Sequence, residues 1–165
     1  MIVVDTNLIV AFLLETSDRA LAEDVFARDR AWTAPSIWRR EFRNVLAMAL
    51  RRSGLPLKAA QLHCARAADL LAGRESSIED GAVLRLAVQS GCTASDCEFV
   101  VLAELLGVPL VTFDREVLAA FPATAIHPRQ FASGAFWGDR VSERLAELYG
   151  ARASRGRGTR RRAVA

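Results

Sequence analysis

Four acidic residues stand where a carboxylate has more to do than meet water. Asp5, followed closely by Asn7, interrupts the apolar run MIVVDTNLIVAFLLE. A carboxylate among apolar neighbours is costly unless it is paired or bound to a cation. Asp114 follows a second apolar run, VPLVT, in the segment VTFDREV. Glu41 lies among Arg39, Arg40 and Arg43 and borders an apolar stripe through Val45 and Met48. Asp96 precedes Phe99, Ala103 and Leu106 at helical spacing, at the margin of a face expected to be buried. Each acid has an ordinary structural reading when taken alone. Asp5 and Asp114 suit helix N-caps, and Glu41 suits a surface ion pair. Asp96 suits the positive end of a helix dipole, beside a Ser95–Glu98 capping box. Taken together they suit a cation. Convergent carboxylates with no His or Cys among them match the hard ions Mg²⁺ and Mn²⁺. Such an ion offsets the mutual repulsion of crowded acids and promotes phosphoryl transfer, by activating water and neutralising charge on phosphate oxygens.

For these acids to converge, the chain must place them at one edge. Ile2–Val4 reads as a buried strand, so Asp5 sits at its carboxyl end. Leu8–Leu14 reads as a helix, and Ser17 and Asp18 as the cap of the next, with Leu21, Ala22, Val25 and Phe26 on its inner face. Residues 31–34 suit a second strand closed by Pro35. From Ser36 a helix is expected with the stripe Trp38, Phe42, Val45, Leu46 and Ala49. Pro56 opens another, and residues 76–78 form a weak strand candidate. Glu79–Ser90 and Ala94–Leu106 read as helices, each stopped by a glycine. Residues 108–112 are a clear strand, Asp114–Ala120 a short helix, and residues 124–126 a last strand. Strands alternating with helices imply a parallel sheet covered on both faces, with functional groups beyond the strands' carboxyl ends. Asp5 and Asp114 both fall there.

The bulk properties set limits. The chain has 165 residues and 52% hydrophobic content, which suits one domain with a real core. No apolar run approaches the roughly 20 residues of a bilayer span. The N-terminus lacks the basic leader of a signal peptide, so the expected location is the cytoplasm. Three cysteines without a CxxC argue against a disulfide frame or zinc site, and two histidines leave little for a His-based centre. The net charge of +3 hides an asymmetry: residues 151–165, ARASRGRGTRRRAVA, carry six arginines and no acid, leaving sixteen bases against nineteen acids in residues 1–150. That tail is expected to be disordered, and suits either nucleic-acid contact or solubility.

The ordered segments VVDTN, APSIWRREFRNVL and ASDCEFVVLAELLGVPLVTFDREVL resemble the PIN-domain ribonucleases, and more narrowly the VapC-type toxins of bacterial toxin–antitoxin pairs. The block D-x-x-F-x-x-L-A-E-x-L-G-V-P-L-V-T-x-D is the most specific of the three. The resemblance implies an α/β protein with a three-layer α/β/α PIN-like fold and a short central parallel sheet. It covers residues 1–132 and places the nuclease domain there; the apolar stripe Val141, Leu145 and Leu148 suits an extra C-terminal helix at 133–150, ahead of the basic tail at 151–165. It also implies a Mg²⁺-dependent endoribonuclease (Mn²⁺ substituting), with Asp5, Glu41, Asp96 and Asp114 as catalytic and metal-holding residues. Asn7, Thr112 and Glu116 match supporting positions. Ser95 and Phe99 depart from it, standing where tyrosine is common. RNA is the implied substrate, cut by metal-activated water, and a small antitoxin and a second copy of the chain are the implied partners. Arg39, Arg40, Arg43 and Arg115 are candidates for RNA phosphates. Trp32, Trp38 and Trp137 are candidates to stack bases; Trp38 fits a core or dimer interface better, and Trp137 is the freer. The competing readings are a non-toxin PIN nuclease acting on RNA or DNA, a catalytically silent binding module, and a phosphatase forming an aspartyl-phosphate. The phosphatase pattern asks for DxDxT, and DTNLI supplies one acid.

Overall fold

Ile2, Val3 and Val4 are all fully buried, as a β-branched run inside a two-sided sheet must be. They form β1 (Ile2–Val4) in a computed structural model that describes residues 1–134. After it come α1 (Thr6–Leu13), α2 (Arg19–Arg28), β2 (Trp32–Pro35), α3 (Trp38–Arg52) and α4 (Leu57–Leu70). The chain continues through β3 (Glu75–Ser76), α5 (Asp80–Ser90), α6 (Ala94–Leu106), β4 (Leu110–Val111), α7 (Arg115–Ala120), β5 (Ala125–Ile126) and α8 (Pro128–Ser133). Residues Met1–Ala132 make one compact unit. The extra helix expected over 133–150, Trp137 and the basic tail 151–165 lie outside the described residues beyond Gly134.

The five strands are all parallel, in the order β3-β2-β1-β4-β5. β1 is therefore central. The chain builds outward from it through β2 to β3, then returns to its other side for β4 and β5. The direction reverses between β1 and β4, and a crevice opens at the carboxyl ends of such a strand pair. Helices on both faces complete the expected three-layer α/β/α arrangement.

Two packing features hold the sheet between its helices. α6 lies against β1 and β2, with Cys97, Phe99, Val100, Val101, Leu102 and Ala103 all buried. A helix apolar nearly all round belongs inside the domain. At the amino-terminal end of β2, Phe12, Phe26 and Trp32 form an aromatic cluster with ring centroids 4.7–5.4 Å apart. Both Trp32 and Trp38 are buried, so neither offers a face to a base.

Several local expectations need correction. Leu106 is 41% exposed, because it sits in the last turn of α6, next to the Gly107 cap (φ 65°) that turns the chain toward β4. Ser36 does not start α3. Its N–H and hydroxyl both donate to Ser76 O, extending the β2–β3 pairing, and the helix begins at Trp38 after Ile37. The weak strand is Glu75–Ser76, one residue earlier than expected. Pro35, expected just after β2, is its last residue.

Candidate active site

The site begins at the joint between β1 and α1. The Asp5 N–H still belongs to the sheet and donates to Val111 O at 3.2 Å. Its carbonyl already belongs to the helix, accepting from Leu8 N and Ile9 N. Asp5 is thus both the first residue past the strand and the N-cap of α1. The carboxylate receives the Thr112 hydroxyl at 2.5 Å and Asn7 Nδ2 at 2.7 Å, both on Oδ2. The Asn7 N–H reaches Oδ1 at 3.4 Å.

Thr112, buried at the end of β4, uses its full hydrogen-bonding capacity. Its hydroxyl donates to Asp5 and accepts from Asn7 Nδ2 at 3.0 Å and from the Asp114 N–H at 2.9 Å. One donor and two acceptor positions are all a hydroxyl has. Asn7 closes the loop, its Oδ1 accepting from the Phe113 N–H at 3.2 Å. Asn7 and Thr112 therefore stitch the ends of β1 and β4 together across the switch point.

The remaining acids come from three other helix starts. Glu41 is in the first turn of α3 and accepts the Thr6 hydroxyl on Oε2 at 2.6 Å. Asp96 is in the first turn of α6, where its Oδ2 accepts the Thr93 hydroxyl at 2.6 Å and the Thr93 N–H at 3.3 Å. Asp114 caps α7, its Oδ1 accepting from the N–H groups of Glu116 and Val117. All four acids thus sit where a helix presents the positive end of its dipole, which lowers the cost of holding them near one another.

The acids nevertheless feel each other. Burial pushes the Asp5 carboxyl up to about 6, and the charges of Glu41 and Asp96 add to the rise while Thr112 and Asn7 oppose it. The structure therefore brings Asp5, Glu41 and Asp96 into electrostatic contact. Asp114 joins them through its backbone N–H to Thr112, while its carboxylate is engaged by α7. The exposed Glu116 contributes a backbone N–H to Asp114. Glu98, expected only as a capping partner, also faces this region: burial, then Glu41, pushes its carboxyl up, and Arg40 opposes. The capping box itself is Thr93–Asp96, not Ser95–Glu98, because α6 starts at Ala94. Thr6 and Thr93 are further contributors that the sequence reading did not single out.

This donor set suits a hard divalent cation in its chemistry, since a partly buried carboxylate crowded by two others is what such an ion relieves. Among the described residues no group of three or more His, Cys, Asp and Glu forms a ready metal cage. Mg²⁺ does not need one. It is commonly held by one or two carboxylates, with water and substrate phosphates completing its shell.

The basic candidates separate. Arg39 is tied to Glu75 by two bonds, at 2.5 and 2.7 Å, and lies over the Trp38 ring. Arg43 bonds the Arg39 carbonyl at 2.9 Å. Arg40 instead reaches toward Ser95 at 3.5 Å, beside Asp96, and the exposed Arg115 follows Asp114. Those two flank the acids.

A family model described as "PIN domain" matches residues 2–123 of this chain. Among solved structures the chain is similar to the crystal structure of PAE2754 from Pyrobaculum aerophilum, with a TM-score of 0.62 and 25% sequence identity. The alignment covers 79% of this chain and 91% of that one. No curated protein matches the sequence.

Proposed function

Since this chain belongs to the PIN-domain family, whose fold is that of metal-dependent nucleases, we propose that it is a Mg²⁺-dependent endoribonuclease. The observation that carries the reading is Asp5: a carboxylate at the β1/β4 switch point, fixed by Thr112 and Asn7 and crowded by Glu41 and Asp96. Asp5, Glu41 and Asp96 would hold the cation, with Asp114 bordering the same crevice. A bound divalent cation supplies water activation and neutralises charge on the scissile phosphate.

The chain's own residues supply position and charge. Thr112 and Asn7 fix the Asp5 oxygen they share, so the carboxylate cannot swing toward bulk water. Thr93 does the same for one oxygen of Asp96. Arg40 and Arg115 flank the acids and attract backbone phosphates, drawing a polyanion toward a pocket that would otherwise repel it. No side-chain nucleophile is required.

The narrower reading is a toxin of the VapC type, acting in the cytoplasm as a homodimer and neutralised by a small antitoxin. The motif order from VVDTN to VTFDREV supports it. A short reading frame abutting this one, whose product binds the chain and suppresses cleavage, is the observation that would single it out from a housekeeping PIN nuclease.

The test is incubation of the purified full-length chain with total RNA and with DNA, with Mg²⁺ or with EDTA, beside Asp5→Asn and Asp96→Asn. RNA fragments that need Mg²⁺ and vanish in both variants are expected. Full activity in Asp5→Asn would remove the mechanism. RNA bound but uncut by the wild-type chain under every metal condition would identify a silent binding module.

A further inference from the structure

Thr6 is the first residue of α1, sits between the two polar residues Asp5 and Asn7, and is almost fully buried. A threonine at a helix start ordinarily turns its hydroxyl to nearby backbone. Here the hydroxyl donates at 2.6 Å to Oε2 of Glu41, which is 35 residues away on α3. A valine would fill the same space, so packing does not require the oxygen. The bond joins the first turns of α1 and α3, two helices that pack on each other. It also ties Glu41 to the residue next to Asp5, holding two carboxylates on the same short stretch of backbone.

We propose that Thr6 is a positioning residue that fixes Glu41 beside Asp5 and so sets how tightly the chain holds its divalent cation. The inference rests on the metal-site reading above. Its physical basis is that a partly exposed glutamate has three rotatable bonds and gains solvation by turning outward. Repulsion from Asp5 pushes it the same way. One charge-assisted hydrogen bond from a buried donor opposes both. Because threonine is branched at Cβ, its χ1 is stiff, so the hydroxyl is aimed before the glutamate arrives. Groups that orient metal-holding side chains typically contribute about 10- to 100-fold to metal affinity.

The experiment uses the full chain, stripped with EDTA and dialysed, and titrated with Mn²⁺ by calorimetry and by the cation-dependent rise in melting temperature. Thr6→Val is expected to weaken Mn²⁺ binding by about 10-fold or more, while Thr6→Ser, which keeps the hydroxyl, binds close to wild type. Without cation, Thr6→Val melts close to wild type, since Glu41 can turn to water and leave no donor unpaired. Glu41→Gln also weakens binding, and the double variant Thr6→Val/Glu41→Gln binds no worse than Glu41→Gln alone, because both changes remove one interaction. Thr6→Val binding Mn²⁺ as tightly as wild type would overturn the inference, as would full additivity of the two changes. A wild-type chain that takes up no Mn²⁺ fails earlier and differently: it overturns the metal-site reading, and this inference with it.

Discussion

Replacing Asp5 with Asn should make the cation-free protein more stable, and by an amount that depends on pH. The folded carboxyl titrates at about 6, against 3.8 for an ordinary aspartate. The folded state therefore holds its proton through a window in which the unfolded chain has already lost it. Stability falls as pH rises from 3.8 to about 6, and the full penalty persists above that. The shift corresponds to at most about 3 kcal/mol, an upper value because Asp5 keeps some contact with water. The amide cannot ionise, so it escapes this cost. It also keeps the two strongest contacts, because Thr112 and Asn7 Nδ2 converge on a single oxygen that a carbonyl can replace. Only the long Asn7 N–H contact is lost, and that loss does not vary with pH. The measurement is urea unfolding of wild type and Asp5→Asn in EDTA between pH 4 and 8. The variant should gain on the wild type steadily from pH 4 to 6.5 and hold its lead above that. At about 2–4 °C per kcal/mol for a chain of this size, the same gain is visible in melting temperature. Saturating Mn²⁺ should then stabilise the wild type and leave the variant where it was. A stability difference that stays flat from pH 4 to 8 would refute the reasoning, whatever its sign.

Other perturbations test the surrounding bonds. Thr112→Val strips Asp5 of a donor and leaves Asn7 Nδ2 and the Asp114 N–H short of an acceptor, so chemical denaturation should show a loss of about 2 kcal/mol or more. Thr93→Ala removes the hydroxyl half of the α6 capping box while keeping the backbone N–H on Asp96, and should cost about 1 kcal/mol in the same assay, with a further fall in cleavage because Asp96 loses the hydroxyl that ties its Oδ2. Arg39→Ala breaks an exposed ion pair and should change stability by less than about 1 kcal/mol. RNA binding in that variant should stay near wild type, since Glu75 already engages the guanidinium. Arg40→Ala, by contrast, should weaken RNA binding and lower its salt slope by about one, measured by filter binding across a salt series.

Which parts of this were readable in advance follows from how local each feature is. Asp5 and Asp114 could be placed at strand ends because each needs only the apolar run before it. The alternation of strands and helices was enough for the parallel sheet. Glu41 was harder, because an acid among arginines reads equally well as surface. Only the packing of α3 beside α1 distinguishes the two, through the Thr6 hydroxyl. Thr6 itself carried no local signal, as its partner is 35 residues away. The capping box was misplaced because TASDCE holds two overlapping patterns, Thr93–Asp96 and Ser95–Glu98, and the helix start decides between them. Ser36 looked like the start of α3, yet its N–H is used by the sheet and the helix begins at Trp38. The short helix α8 (Pro128–Ser133) went unread.

The bond from Thr112 to Asp5 spans 107 positions of the chain. β1 precedes the other four strands of the sheet in the chain, and it occupies the centre with one flank open until β4 arrives. Chains made from the N-terminus at about 5–20 residues per second must therefore wait several seconds between making the first acid and the hydroxyl that fixes it. Until β4 has cleared the ribosome, Asp5 and Asn7 lack the contacts from Thr112 and Phe113, and the crevice has only one wall. The order of the strands thus leaves the ends of β1 and β4 unjoined until Thr112 has been made.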